Sequence, residues 1–306
     1  MPNTQLLILG GGMQGKAVLF DAVRAGSFDE IVITDVFPDV LELPQSYPAG
    51  KVTALQVDAS DEAAVRTLMQ KADVIIEALP AGFGVRMARI AAHLGKPLVS
   101  SVYFVRSEDP DTRKHEQDMV EEIAALAAAN GCTILTEFGM DPGLDLMIAR
   151  QAINEFDRVD TFHSYGAGFP ELSACNNPLD YKFAWSVRGV MLSYRRTGKI
   201  IRAGTVVVIP GEDMFAAGNM HTIDEEEVGG TLECFINGDS ARYATLFGVE
   251  DTVQDMGRYI CRRPGHGAFW WRMSQCGFLN TEPVDVNGSK VVPVDFLVSL
   301  LPGFRT

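Results

Sequence analysis

Over the first 140 residues, short apolar and β-branched runs alternate with longer stretches whose apolar positions recur every three or four residues. The runs at 5–9, 31–35, 52–57, 73–78, 97–102 and 132–136 predict strands. The stretches at 16–25, 61–72, 83–94 and 111–130 predict helices, the last stopped by Asn130-Gly131. Alternation of this kind builds a parallel sheet with helices on both faces, so the fold class is α/β, opening with a Rossmann-type, doubly wound domain over 1–140. After Phe138 the pattern changes. Asp141-Pro142-Gly143 predicts an N-cap with proline at the first helical position, opening a helix to about residue 156. Strand signals then dominate, at 158–164, 199–203, 205–209, 230–236 and 284–292, with helices at 183–197 and 266–277. We expect a second, α+β domain of mostly antiparallel sheet over 141–306.

Composition narrows the function classes. With 306 residues, 47% hydrophobic and 22% charged, the chain has enough apolar material for two domain cores. A net charge of −14 opposes binding to phosphate backbones, so nucleic acid is not an expected partner. No apolar run approaches the ~18 residues that cross a bilayer, and the first strand begins with no basic leader before it. A cytoplasmic protein with no membrane partner is expected. Cys132, Cys175, Cys234, Cys261 and Cys276 are scattered without a C-x-x-C pair, so we expect reduced, mostly buried thiols and no metal. The acidic run Asp224-Glu225-Glu226-Glu227 reads as a solvated loop.

The most informative motif is Gly10-Gly11-Gly12-Met13-Gln14-Gly15, which joins the first strand to the first helix. Here Gly10, Gly12 and Gly15 supply the tight turn and close approach that a pyrophosphate needs, and Met13 and Gln14 open the helix whose N–H groups face it. Asp35 ends the second strand 20 residues past Gly15. A carboxylate there accepts both ribose hydroxyls of NAD and repels the 2′-phosphate of NADP, so NAD is the expected cofactor, with NADP less favoured.

Ligands of such sheets bind beyond the strand C-termini. Asp58 and Ala59 are placed for adenine, Ala78, Leu79 and Pro80 for passage of the dinucleotide, and Ser100 and Ser101 for the nicotinamide or substrate. Asp141 is both an N-cap candidate and a proton-transfer candidate. The loop from Gly166 to Val190 is rich in hydrogen-bonding and aromatic side chains; within it Asn177, Lys182 and Arg188 are candidate substrate contacts, and Lys182 is a candidate base if burial lowers its pKa.

Taken together, these residues resemble the saccharopine dehydrogenase and saccharopine reductase family of lysine metabolism. The resemblance rests on the glycine string, Ser100-Ser101, Asp141-Pro142-Gly143-Leu144-Asp145, Arg262-Arg263-Pro264-Gly265, and above all Asn177-Pro178-Leu179-x-Tyr181-Lys182-Phe183-x-Trp185-Ser186-x-Arg188-Gly189-Val190. It implies an NAD(P)-dependent oxidoreductase acting on the C–N bond of a lysine-derived amino acid, with Ser101, Asp141, Lys182 and Arg188 facing the substrate. Domain 1–140 would hold the dinucleotide, and domain 141–306 would serve substrate binding and dimerisation.

Three departures qualify the resemblance. Asp35 is more similar to the NAD-using lysine 6-dehydrogenase branch, which makes direct oxidative deamination of lysine an alternative. Where reductases carry Pro-Asn-Arg-Asp-Ser, this chain has Ile236-Asn237-Gly238-Asp239-Ser240, with Arg242 nearby; loss of a charge-assisted clamp costs about 2 kcal/mol of binding. Family members also continue past the region matched by Val291 to Phe296, whereas this chain stops at Thr306. A trimmed second sheet would leave an open edge that invites a homodimer. A third reading is a dinucleotide-binding protein without turnover.

Overall fold

In the computed structural model, which describes residues 4–301 apart from 106 and 108, the chain divides into two compact units, Met1–Leu144 and Asp145–Thr306. Unit 1 is built on six parallel strands, β1 (Gln5–Leu9), β2 (Glu30–Asp35), β3 (Val52–Gln56), β4 (Val74–Glu77), β5 (Leu98–Ser100) and β6 (Ile134–Leu135). Their order in the sheet is β3-β2-β1-β4-β5-β6, so the chain reverses direction across the sheet beside β1. The crossovers include α1 (Met13–Ala25), α2 (Glu62–Lys71), α3 (Gly84–His93) and α4 (Pro110–Ala129).

Alternation along β1 explains why both faces are covered. Leu6 and Ile8 join Leu19 of α1 and Ile31 and Ile33 of β2 in one cluster. Leu7 and Leu9 point the other way, into Val65 and Met69 of α2, Met87 and Ile90 of α3, and Ile123 of α4. Each such fully buried side chain contributes about 1.5–3 kcal/mol, which is why the strands read as unbroken apolar runs. The expected doubly wound parallel sheet is therefore present. A 3₁₀ segment, Pro38–Ser46, links β2 to β3 and buries Val40; two prolines and a short apolar pattern hid it from the sequence reading.

The reading of Asp141 as an N-cap is corrected. The next helix, α5 (Leu144–Ile153), begins three residues later, and Asp141-Pro142-Gly143 forms a turn in which Gly139 N–H donates to the Pro142 carbonyl (3.1 Å) and Leu144 N–H to the Gly139 carbonyl (2.9 Å). Gly143 sits at φ +138°, where a Cβ would come within 2.3 Å of the Gly139 carbonyl oxygen, so the turn requires glycine. By contrast Asp61 and Asp109 do cap α2 and α4, accepting from Ala64 N (3.1 Å) and Thr112 N (2.9 Å).

Unit 2 has a mostly antiparallel sheet of β7 (Thr161–Ala167), β8 (Gly198–Arg202), β9 (Thr205–Ile209), β10 (His221–Glu225), β11 (Gly230–Ile236) and β12 (Asp255–Arg262). Strand β12 is central: it pairs antiparallel with β11 and β8 and parallel with β7. The sequence reading missed it because Arg258 and Arg262 interrupt its apolar pattern, although both are buried. The helices are α6 (Val187–Ser193), α7 (Arg242–Phe247), α8 (His266–Gln275) and α9 (Pro293–Ser299). The single strand expected at 284–292 is instead a hairpin, β13 (Val284–Val286) and β14 (Ser289–Val291), turned by Asn287-Gly288 with both φ values positive. The acidic run is not purely loop, since Asp224 and Glu225 belong to β10.

Of the five free cysteines only Cys234 and Cys261 are buried, fewer than expected; they face each other across β11 and β12 with Sγ atoms 3.0 Å apart. Among the described residues no helix is long and apolar enough to cross a membrane, and no cluster of three or more His, Cys, Asp or Glu is placed to hold a metal ion.

The helices α6, α8 and α9 cover one sheet face with Val190, Tyr194, Trp270 and Val294, packed against Phe235. His266 lies at 0% exposure inside this layer, 2.9 Å from the Tyr194 hydroxyl. Burial, then the nearby Arg262 charge, pushes its pKa down to about 3. A histidine that is neutral when folded and basic when unfolded gives stability that is complete above pH ~6.5 and lost as pH falls toward 3, at about 1.4 kcal/mol per unit. Urea unfolding at pH 7 and pH 5 is expected to show about 2 kcal/mol more loss for the wild type than for His266→Gln; equal losses would exclude this role.

Candidate functional site

The candidate site of unit 1 follows from how β1 meets α1. Gly10 adopts φ +101°, and a Cβ there would lie 2.6 Å from the Ala78 carbonyl oxygen. At Gly15 a Cβ would lie 1.7 Å from the Gly10 carbonyl oxygen, so the helix start packs directly on the strand end. Gly12 differs, with nothing within 4 Å of its Cβ position. It precedes Met13 with no side-chain cap, so the first amides of α1 open onto exposed Gly12, Met13 and Gln14. That is a cradle of N–H groups, reinforced by the helix dipole, with room for an anion.

Asp35 closes one side of this turn. Its Oδ2 accepts from Gly11 N–H at 2.6 Å and its Oδ1 from Phe37 N–H at 3.0 Å. A carboxylate has about four acceptor positions, so two remain for ribose hydroxyls. Between Arg24 and Lys51 the sequence contains no Lys, Arg or His. Asp58 is exposed and accepts from Ser60 N–H at 2.7 Å, the bond that chiefly lowers its pKa; the Ala59 carbonyl is held by Arg86 at 2.7 Å.

At the ends of β4 and β5 a residue overlooked in the sequence organises those already named. Glu77 is only 2% exposed, with Oε1 accepting from Leu79 N–H (2.9 Å) and Oε2 from the Ser100 hydroxyl (2.5 Å), while Ser100 Oγ accepts from Val102 N–H (3.1 Å). Burial raises its pKa, opposed by those two donors. The Ser100 hydroxyl thus turns inward to Glu77, not toward open solvent. Ala78, Leu79 and Pro80 form the turn against Gly10, and Ser101 is exposed beside the 139–143 turn that carries Asp141.

On unit 2, Asn177 shapes its own loop, donating to the Tyr181 carbonyl (2.8 Å) and accepting from Leu179 N–H (3.1 Å). Lys182 is exposed and makes no ion pair among the described residues; the burial required by its reading as a base is not found. Arg188 is engaged with Asp295 of α9 at 2.6 Å, with side chains 47% and 41% exposed, a pair weakened by solvent. Near the loop where the resemblance expects an arginine, Arg242 and Arg258 lie 4.7 and 4.6 Å from the Tyr243 ring centre. Arg258 is also paired with Asp145 at 2.5 Å in buried surroundings. Only the strand position of Arg258 signals this, and the strand itself was missed.

Comparison with known proteins gives a consistent family. Residues 6–135 match the saccharopine dehydrogenase NADP binding domain, and residues 139–305 the saccharopine dehydrogenase C-terminal domain. The chain is 30% identical over 235 residues to the alpha-aminoadipic semialdehyde synthase of Arabidopsis thaliana, covering 76% of this chain and 21% of that protein. It is 28% identical over 285 residues to the NADP(+), L-glutamate-forming saccharopine dehydrogenase of Saccharomyces cerevisiae, covering 92% of this chain and 60% of that one. The apo structure of the Saccharomyces cerevisiae L-Glu-forming saccharopine dehydrogenase superposes with a TM-score of 0.74 at 24% identity, over 92% of this chain and 61% of that one, and shares the fold. The chain thus spans about three fifths of the yeast enzyme's length.

The glycine geometry gives a direct check on the turn. Gly15→Ala is expected to lower the melting temperature by roughly 3–8 °C, from an overpacking cost of about 1–3 kcal/mol, whereas Gly12→Ala leaves it within about 2 °C. Equal shifts for the two variants would contradict the packing described.

Proposed function

The chain belongs to the saccharopine dehydrogenase family, and from that premise we propose that it is a nicotinamide-dinucleotide-dependent oxidoreductase acting on the C–N bond of a lysine-derived amino acid. The observation that carries this reading is the glycine turn with open N–H groups at Gly12 and Met13 and the Asp35 carboxylate beside it. The turn fits the cofactor: no atom lies within 4 Å of the Gly12 Cβ position, where a pyrophosphate must approach. When bound, the nicotinamide ring supplies the hydride acceptor. The N–H groups of the turn hold the pyrophosphate, Asp35 holds the adenosine ribose, and Asp58 with Ala59 borders the adenine. Ser101 and Asp141 are assigned to the substrate, with Asp141 accepting the amine proton, and Lys182, more than the engaged Arg188, to a substrate carboxylate.

The relatives are named for NADP, and the matched domain is an NADP binding domain. We nevertheless assign NAD to this chain. A 2′-phosphate needs a cation where Asp35 places a carboxylate, and the following residues through position 50 supply none. Direct deamination of lysine is the second reading, favoured by Gly238 at the position where reductases carry the clamping arginine.

Purified protein assayed with saccharopine, with lysine, and with glutamate plus the lysine-derived semialdehyde, following NADH absorbance, separates the two; silence with every amine while NADH binds would leave only the non-catalytic dinucleotide-binding reading. Asp35→Ala is expected to raise the Kd for NADH by roughly tenfold or more, the worth of a charge-assisted hydrogen bond, with NADPH little changed. Equal weakening of both would overturn the assignment to NAD.

A further inference from the structure

Among the described residues of unit 1, Glu77 is the one buried acid. Glu77 is the last residue of β4, and its neighbours in register are Leu9 on β1 and Ser100 on β5, neither of them charged. The buried residues of α3 are Gly84, Met87, Ala88, Ile90, Ala91 and Ala92, also uncharged. No cation contributes to its titration, so its carboxylate is stabilised by hydrogen bonds alone. Those bonds have one direction: Val102 N–H donates to Ser100 Oγ, Ser100 O–H donates to Glu77 Oε2, and Leu79 N–H donates to Oε1. Two donors, Ser100 O–H and Leu79 N–H, thus reach the carboxyl group, and the Val102 bond occupies the Ser100 oxygen as acceptor, a pattern that supports the ionised form.

The position of Glu77 has a consequence for the dinucleotide, and the inference rests on that reading of the site. Asp35 lies at the end of β2, on one side of β1. A dinucleotide whose pyrophosphate sits at the β1 turn and whose adenosine runs toward Asp35 must extend its other half across the ends of β4 and β5. That is where Glu77 is buried, beneath the 78–80 turn that abuts Gly10. The oxidised nicotinamide ring carries a positive charge and the reduced ring carries none. A fixed negative charge in a poorly solvated setting acts on the first and not on the second.

We propose that Glu77 is a redox-selective positioning residue: its buried carboxylate, held by Leu79 and Ser100, favours the oxidised over the reduced dinucleotide and so lowers the midpoint potential of the bound couple. A merely structural Glu77 would affect both forms alike. The two roles are separated by the ratio of affinities.

The test uses the full chain, with NADH binding followed by its fluorescence and NAD⁺ by calorimetry. Glu77→Gln, which keeps the shape and removes the charge, is expected to weaken NAD⁺ relative to NADH by about tenfold, a rise of about 30 mV in the bound two-electron couple. If Glu77→Gln does not fold, Ser100→Ala carries the same test. Removing that donor raises the cost of ionising Glu77, so the ratio moves in the same direction by a smaller factor. An unchanged ratio in whichever variant folds, with both nucleotides still binding, overturns the inference and leaves the dinucleotide site standing. Failure of the wild type to bind any of NAD⁺, NADH, NADP⁺ or NADPH overturns the site reading itself.

Discussion

The contact on which unit 1 depends is the approach of α1 to the end of β1, where Gly15 sits so close to the Gly10 carbonyl that no side chain fits between them. Because the helix starts there, its first amides are left facing outward at Gly12 and Met13 with no side-chain cap. The same closeness brings the Ala78 carbonyl against Gly10 and places the Asp35 carboxylate on Gly11 N–H. Packing and the outward-facing N–H groups are thus two results of one steric constraint, and apolar burial on both faces of the sheet keeps the constraint in place.

Charge is handled differently in the two units. In unit 1 the buried acid Glu77 is held by neutral donors, Leu79 N–H and the Ser100 hydroxyl. In unit 2 buried arginines lie against an acid or a ring: Arg258 pairs with Asp145 and stacks on Tyr243, and Arg262 lies over the Tyr181 ring. Breaking such a pair costs several kcal/mol, because the remaining charge stays buried alone. Arg258 of β12 thereby holds Asp145 of α5, and Lys182 is exposed.

Much of this was legible in the sequence. The parallel sheet follows from period-2 runs separated by helical ones, and the turn from glycines in a strand-to-helix setting backed by Asp35. What escaped did so for physical reasons. Strand β12 carries two arginines that become acceptable only through partners distant in sequence, Asp145 and Tyr181. The Asp141-Pro142 signal imitates a helix start, yet the chain makes a glycine-dependent turn first. Glu77 carries no local signal, since its partner Ser100 lies 23 residues away. Asn177 and Arg188 were noted for their chemistry, and the structure engages both with neighbours, Tyr181 and Asp295.

The most direct test of the account is a crystal structure of the full chain with NADH bound. The account predicts pyrophosphate oxygens on the N–H groups of Gly12 and Met13, both hydroxyls of the adenosine ribose on Asp35, and the nicotinamide half lying over the ends of β4 and β5. A pyrophosphate held elsewhere, or Asp35 turned away from the ribose, would contradict it.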